Sequence, residues 1–162
     1  MAPRFVEILR QFAGADVEFV VVGMTAGILQ GAPVTTLDLD VVHRRSAENV
    51  ARLLGVLEEL HAVYRHDPRR LRPVASTLVG PGHHLLRTNR GDLDCLGTID
   101  QDRGYEELLD RTVELSLGNA LSFRVLSLAA LIEAKERLGR PKDLAALPIL
   151  RATLDEVNRS RE

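Results

Sequence analysis

Two aspartates, Asp38 and Asp40, stand two positions apart in an otherwise apolar run that ends at Val42. In a β-strand, residues two apart lie on the same face, so the two carboxylates would project side by side. Their repulsion falls if a divalent cation binds between them or if one takes up a proton. Mg²⁺ is the natural cation for such a pair, because it prefers oxygen and is usually held by one or two carboxylates and by substrate phosphates. The pair therefore predicts a magnesium site, and the alternative is an edge strand whose aspartates face water.

The residues before this pair indicate how it would be positioned. Residues 17–22 are rich in β-branched side chains and predict a strand, which Gly23 ends. A short helix is expected next, with Thr25 as its N-cap, and Pro33 separates it from a second strand over residues 37–43. Glycine lets a backbone approach phosphate oxygens closely, so the amides at Gly23 would bind an anion; an ordinary strand-to-helix turn is the alternative.

This region resembles the signature of the polymerase-beta-like nucleotidyltransferase superfamily, through Gly23, Gly31, Thr36, Asp38 and Asp40. In that superfamily a strand, a Gly-Ser or Gly-Gly turn and a short helix precede a strand that bears an Asp-x-Asp or Asp-x-Glu pair. The chain is similar to small bacterial nucleotidyltransferase-like proteins, including toxins of abortive-infection toxin–antitoxin pairs. Those proteins often carry threonine two residues before the first aspartate.

One position departs from that signature. The superfamily commonly has serine or glycine after the first glycine, where this chain has Met24. A thioether cannot donate a hydrogen bond to phosphate, so that contact must come from backbone amides or from Thr25. The resemblance implies nucleotide contacts at Gly23, Met24, Thr25 and Thr36. The departure keeps open a weakened module that binds a nucleotide without turnover.

A third acidic position is expected on a hairpin further along the chain. The turn over residues 89–91 lies between two segments that fit extended strands. The resemblance places a third carboxylate on the second arm, in a Gly-x-x-Asp-Leu-Leu-like stretch that residues 91 and 94–96 match. Asp94 is therefore the predicted third carboxylate and Asp92 the fallback. The alternative is a structural aspartate that pairs with an arginine.

A basic segment near the C-terminus also resembles these proteins. They carry Lys, four variable positions and Arg-Pro-Lys-Asp after the catalytic core, which matches residues 135–143. The resemblance implies that Lys135, Arg140 and Lys142 contact phosphate and that Asp143 orients one of these cations. The alternative is a corner between two helices with solvated charges.

A second basic cluster follows Tyr64 and contains Arg65, Arg69, Arg70 and Arg72. Guanidinium groups match phosphate geometry, so the cluster would contact an acceptor RNA such as tRNA, or the nucleotide. The alternative is a solvated loop.

Composition sets the remaining bounds. A chain of 162 residues, 45% apolar and 27% charged, predicts one globular domain. A formal charge of −2 gives no overall nucleic-acid signature, so RNA contact would need a local patch. Cys95, the only cysteine, is expected to be a buried structural thiol. Without the apolar stretch of a signal peptide or membrane span, the cytoplasm is the expected compartment.

The remaining patterns predict the surrounding elements. Helices are expected over residues 4–13, 47–60 and 100–109, strands over 74–79 and 84–88, and a hairpin over 113–125. Ser46 and Ser127 are predicted N-caps, and Pro148 is expected to break or kink the final helix. The expected fold is a single α/β (α+β) domain over residues 1–162 with the nucleotidyltransferase fold, a mixed twisted sheet flanked by helices. Its core would span residues 17–125 and a C-terminal helical pair 127–158.

The resemblance implies transfer of a nucleoside monophosphate from a nucleoside triphosphate such as ATP to an acceptor hydroxyl. Asp38, Asp40 and Asp94 would be the catalytic residues and would hold two Mg²⁺ ions, with Mn²⁺ as a substitute. Asp94 would also help to deprotonate the acceptor. The acceptor is open between RNA, a protein hydroxyl and a small molecule such as an aminoglycoside. A toxin covered by a small antitoxin protein is a further alternative.

Overall fold

The computed structural model describes residues 3–162, except for the side chain of Gln101. The described residues form seven α-helices and seven strands. In chain order they are α1 (Phe5–Gly14), β1 (Phe19–Val22), α2 (Gly23–Leu29), β2 (Asp38–His43), α3 (Ala47–Glu59), β3 (Val63–Tyr64), α4 (Ala75–Leu78), β4 (His83–Thr88), β5 (Gly91–Leu96), α5 (Tyr105–Leu108), β6 (Thr112–Gly118), β7 (Leu121–Leu126), α6 (Leu128–Leu138) and α7 (Pro141–Ser160). Two 3₁₀ turns, Asp100–Asp102 and Leu109–Arg111, flank α5.

The strands of the described chain form one mixed sheet in the order β3-β4-β5-β2-β1-β7-β6. Two neighbouring pairs are parallel, β2 with β5 and β1 with β7, and the other neighbours are antiparallel. This architecture confirms the predicted mixed α+β fold. The strands that carry the predicted carboxylates, β2 and β5, lie next to each other in the middle of the sheet.

One face of the sheet is covered by α1, α3 and α4, and the main core lies there. Phe12 of α1 packs edge-on against Phe19 of β1, which stacks on Phe123 of β7. His43, at the end of β2, is fully buried and hydrogen-bonds through Nε2 to the carbonyl of Leu78 in α4 at 2.8 Å. Cys95 on β5 is fully buried, as predicted, and burial raises the pKa of its thiol.

The opposite face carries α6, which packs against α2 and α7. Gly27 of α2 lies close to this layer, since a Cβ there would meet Leu150 of α7 at 2.9 Å and Leu131 of α6 at 3.5 Å. Within residues 3–162, no helix has both the length and the apolar character needed to cross a membrane.

Local signals predicted several boundaries correctly. The Ser46 hydroxyl accepts a hydrogen bond from the amide of Asn49, and that of Ser127 accepts one from the amide of Ala130, so both are N-caps. Gly139 ends α6 in the left-handed conformation, with φ 61°. The hairpins β4–β5 and β6–β7 also form as expected. Each of these features depends on residues close together in the chain.

Other predictions were wrong, for reasons that depend on distant contacts. Residues 74–79 do not form a strand, because β3 pairs with β4 instead; they form α4, whose Leu78 is buried. The helix expected over residues 100–109 is divided, and α5 begins only after Gly104. The predicted break at Pro148 does not occur, because α7 runs on past this exposed residue, and the alternative of a kink stays a prediction. The carbonyl of Leu144, which a proline four residues later leaves unbonded, can reach water.

Thr25 is not the N-cap of α2. The helix begins directly at Gly23, and the N-cap position is Val22. The Thr25 hydroxyl donates instead to the carbonyl of Asp38 at 3.0 Å. This bond ties α2 to the start of β2, so Thr25 fixes the backbone that carries the first aspartate.

Candidate active site

The parallel register of β2 and β5 brings the predicted carboxylates together. Asp38 lies opposite Asp92, and Asp40 lies opposite Asp94. Since side chains alternate along a strand, all four carboxylates lie on the face that also carries α6. The sheet therefore places the Asp38–Asp40 pair beside both candidates for the third acidic position.

Asp40 lies against the turn at Gly23. The backbone of Gly23 has φ 66°, and a Cβ at this position would collide with Oδ2 of Asp40. Glycine is thus needed for the backbone conformation and for the close approach of the carboxylate. This contact lies at the point where β1 ends and α2 begins.

The carboxyl group of Asp40 is buried and has few partners for its negative charge. Among the described residues its buried Oδ1 has no hydrogen-bond partner. Burial, followed by contact with the Asp94 carboxyl and the negative charges of Asp94 and Asp38, raises the pKa of Asp40 to about 7, although Lys135 opposes the shift. Without a cation, this group holds a proton in the neutral pH range.

Asp94 has a partner that the sequence did not identify. The guanidinium of Arg65 binds it with both branches, Nη1 to Oδ1 at 2.5 Å and Nη2 to Oδ2 at 3.3 Å. The Arg65 side chain is 10% exposed and that of Asp94 is 11% exposed. The alternative of an aspartate paired with an arginine is therefore realised at Asp94.

This pairing changes the interpretation of the arginine cluster. Arg65 lies among the carboxylates, whereas Arg69 is exposed and pairs with Asp67 at 2.7 Å. Arg70 and Arg72 are exposed as well. The four residues do not form one patch, and their predicted contact with RNA or nucleotide stays a prediction.

The second basic segment forms the corner between α6 and α7. Asp143 is fully buried and accepts hydrogen bonds from Lys135 Nζ at 3.2 Å and from Arg140 Nε at 2.6 Å. The bond from Arg140, with a smaller contribution from Lys135, lowers the pKa of Asp143 to about 2. Asp143 thus contacts both cations, and the predicted phosphate contacts of Lys135, Arg140 and Lys142 stay predictions. Lys142 is exposed.

A cavity of about 340 Å³ lies between the carboxylates and this corner. Its polar lining includes Gly23, Asp40, His83, Asp100, Lys135 and Arg140, and its apolar lining Val22, Leu96, Ile99, Leu126, Leu131, Ala134 and Leu138. The cavity therefore combines two carboxylates, two cations and an extended apolar wall. Such a lining suits a ligand with an anionic part and a planar apolar part.

The other predicted contacts lie behind the carboxylate pair. Met24 is half-buried and packs against the core. The Thr36 hydroxyl lies 3.4 Å from both the amide and the carbonyl of Asp38. Thr25 and Thr36 thus hold the backbone at Asp38, and their predicted contact with nucleotide stays a prediction.

The carboxylates of the site limit how a divalent cation could be held. Among the residues that the structure describes, no three His, Cys, Asp or Glu side chains are grouped to hold one metal ion. Asp38 and Asp40 alone match the one or two carboxylates that Mg²⁺ uses when substrate phosphates complete its shell. The unpartnered Oδ1 of Asp40 is an oxygen that such an ion would bind. The residues present therefore fit one ion at this pair.

Comparison with known proteins identifies the fold. The sequence matches no family model and no curated protein. The structure is similar to a Thermotoga maritima protein assigned as a nucleotidyltransferase, with a TM-score of 0.57, 18% identity, and coverage of 94% of this chain and 91% of that chain.

The structure is also similar to the antibiotic-resistance factor ANT(2'')-Ia. The solution structure of that protein gives a TM-score of 0.59 and 16% identity, covering 99% of this chain and 94% of that chain. Its crystal structure in complex with adenylyl-2''-tobramycin gives 0.60 and 17%, covering 97% and 95%. At these identities the likeness shows a shared fold, and the chain has the fold of these nucleotidyltransferases.

Proposed function

We propose that the protein transfers a nucleoside monophosphate from a nucleoside triphosphate to an acceptor hydroxyl, with a divalent cation held by Asp38 and Asp40. One observation carries the proposal. Asp40, whose buried Oδ1 lacks a hydrogen-bond partner in the described residues, lies against Gly23 and lines the same cavity as Lys135 and Arg140. A pair of carboxylates that can bind a divalent cation thus lies close to two basic side chains that can bind phosphate.

The cavity suggests how the nucleotide lies. Lys135 and Arg140 offer positive charge to the phosphates, and the apolar side chains of α6 and β7 offer a surface for the base and ribose. Asp143 keeps both cations in place, so their orientation does not depend on the ligand. A preorganised site of this kind lowers the cost of binding.

The proposed reaction forms a bond between the acceptor oxygen and the α-phosphorus. The bond from that phosphorus to the bridging oxygen breaks, and pyrophosphate leaves with the electron pair. Asp94, which lies opposite Asp40 and stays ion-paired with Arg65, accepts a hydrogen bond that orients the acceptor hydroxyl, and the proton of that hydroxyl passes to water. When bound, a divalent cation at Asp38 and Asp40 neutralises negative charge that develops on the phosphates.

We propose a small hydroxyl-bearing molecule as the acceptor class. Support comes from the structural similarity to ANT(2'')-Ia, which was solved with an adenylylated small molecule. The predicted antitoxin partner and the weakened nucleotide-binding module stay predictions.

Isothermal titration calorimetry tests the proposal. The protein is titrated with each of the four nucleoside triphosphates, with and without Mg²⁺. We expect Mg²⁺-dependent binding of at least one of them, weakened by at least about tenfold, or ~1.4 kcal/mol, in Asp38→Asn. Asp155→Asn, which removes an exposed carboxylate on α7, should bind like the wild type. The proposal fails if no nucleotide binds, or if Asp38→Asn binds as tightly as the wild type.

A further inference from the structure

We infer that the guanidinium group of Arg65 takes the place beside Asp94 that a second divalent cation would need. The chain would then work with one such ion, bound at Asp38 and Asp40. This inference rests on the proposed function, because it concerns the ions that accompany the nucleotide.

The contacts of Arg65 use both oxygens of Asp94. Nη1 bonds to Oδ1 and also to the carbonyl of Leu86 at 3.1 Å, while Nη2 bonds to Oδ2. Nε lies 3.9 Å from Oδ2 of Asp92. One guanidinium group therefore contacts both acidic residues of β5 and is also hydrogen-bonded to the backbone of β4.

The fold fixes this position. Arg65 directly follows β3, and its amide donates to the carbonyl of Leu85 at 3.1 Å, which continues the pairing of β3 with β4. Leu85 lies opposite Asp94, and Asp94 lies opposite Asp40. Arg65 thus lies at the end of a row that continues through Leu85 and Asp94 to Asp40, on the face of the sheet that carries the carboxylates.

Charge is distributed unevenly among the four aspartates. On the β5 side, Arg65 binds Asp94 and Arg87 Nε binds Asp92 at 3.0 Å. On the β2 side, the described residues leave Oδ1 of Asp40 without a partner, and Lys135 is paired with Asp143. Each aspartate of β5 is directly ion-paired, whereas Asp40 has near it only Lys135, which is itself paired with Asp143, so an added cation is favoured at β2.

Displacement of Arg65 by an ion is also unfavourable. Its side chain is largely buried, and loss of Asp94 would leave a charged group there without its partner. Breaking a buried ion pair by removing one partner costs much more than breaking an exposed pair. The arginine therefore remains in place when the nucleotide binds.

The number of bound ions tests this inference. Mn²⁺ is titrated into the protein with a saturating α,β-methylene analogue of the nucleoside triphosphate that binds in the calorimetric titration, and free Mn²⁺ is measured by electron paramagnetic resonance. We expect one Mn²⁺ per bound analogue in the wild type and two in Arg65→Gln, which frees Asp94. Arg65→Lys retains the positive charge and should return the count to one. Arg87→Gln, the matched control, removes a charge from Asp92 and leaves the bonds of Asp94 intact, so it should also bind one.

The outcomes separate the two proposals. Two ions in the wild type, or one in a folded Arg65→Gln variant, would overturn the inference and leave nucleotide binding established. If none of the four nucleoside triphosphates binds in the calorimetric titration, the proposed function is refuted, and the inference with it.

A crystal structure covers the case in which Arg65→Gln does not fold. Wild-type crystals with Mn²⁺ and the analogue should show one anomalous peak at Asp38 and Asp40, with Arg65 still bonded to Asp94. A second peak beside Asp94 would overturn the inference.

Discussion

Asp40 and Asp94 lie directly opposite each other on the adjacent parallel strands β2 and β5, and contact with Asp94 is one cause of the raised pKa of Asp40. The two carboxyl groups differ in their partners. Arg65 binds both oxygens of Asp94, whereas the described residues give Oδ1 of Asp40 no partner. The stability of the protein should therefore depend on the charge state of Asp40.

The first prediction concerns pH. The pKa of Asp40 is about 7 in the folded protein, above its ordinary value of 3.8. The stability associated with its protonated form is therefore fully present below pH ~4 and is lost as pH rises through 7. From pH 4 to 8, the metal-free wild type should lose up to ~4 kcal/mol of unfolding free energy relative to Asp40→Asn.

Urea denaturation at several pH values with a chelator would measure this difference. Mg²⁺ added at pH 8 should recover part of the loss in the wild type and none in Asp40→Asn. Parallel stability curves for the two proteins would show that Asp40 is ionised throughout.

The second prediction concerns the turn at Gly23. Gly23→Ala places a Cβ against Oδ2 of Asp40 on a backbone with φ 66°, so it should destabilise the fold by at least ~1–2 kcal/mol and weaken nucleotide binding. Gly55→Ala is a matched control, because that glycine lies within α3 and a Cβ would meet open space. The control should stabilise the protein by ~0.5–1 kcal/mol. Thermal unfolding and calorimetry report both effects, and a fully stable Gly23→Ala would argue against the close contact.

The third prediction concerns the corner between α6 and α7. Asp143→Ala removes the shared partner of Lys135, whose side chain is 14% exposed, and of Arg140, whose side chain is 52% exposed. The cost should be about 3 kcal/mol, because a buried ion pair and an N-terminal cap of α7 are both lost. Nucleotide binding should weaken as well, since neither cation is then held at the cavity.

Asp155→Ala, an exposed change on the same helix, should stay within ~0.5 kcal/mol of the wild type. Since the pKa of Asp143 is lowered to about 2, its contribution should be present above pH ~4 and be lost as pH falls toward 2. Denaturant unfolding curves at pH 7 and pH 3 would measure both effects. Equal stability of Asp143→Ala and Asp155→Ala would contradict the prediction.

The fourth prediction concerns His43, whose pKa is lowered chiefly by burial. A lowered pKa means that the stability linked to neutral His43 is present above pH ~6.5 and is lost as pH falls through the folded value. His43→Leu should be less stable than the wild type by ~1–3 kcal/mol at pH 7, because the carbonyl of Leu78 loses its partner. The difference should narrow toward pH 5, and urea unfolding curves of the two proteins at pH 7 and pH 5 would measure it.

The sequence predicted the parts of the site that depend on local signals. Residues two apart on a strand share a face, so the pairing of Asp38 with Asp40 followed from spacing alone. Asp94 was placed by a hairpin turn and by family resemblance, and it lies opposite Asp40. Asp143 was expected to orient a nearby cation, and it holds Lys135 and Arg140.

The missed features depend on contacts between distant segments. Arg65 and Asp94 are 29 positions apart, and their meeting depends on the pairing of a two-residue strand, β3, with β4. A strand that short has no periodicity to detect. The apolar wall of the cavity comes from α6, from the ends of β1, β5 and β7, and from Ile99, and nothing in their sequence patterns distinguishes these apolar residues from others in the chain. Cavity lining of this kind becomes visible only when the layers are assembled.

The full burial of Cys95 gives the molecule an internal reporter. Cys95 is the only thiol in the chain, and it lies next to Asp94 in sequence but on the opposite face of the sheet. Because its side chain is fully buried, a reagent reaches it only when the sheet opens locally. The rate at which a thiol reagent modifies Cys95 therefore measures how often the centre of the sheet opens under native conditions. A ligand that binds at the carboxylates and stabilises β5 should slow this modification. The reaction rate of Cys95 can therefore be used to screen candidate nucleotides and acceptors.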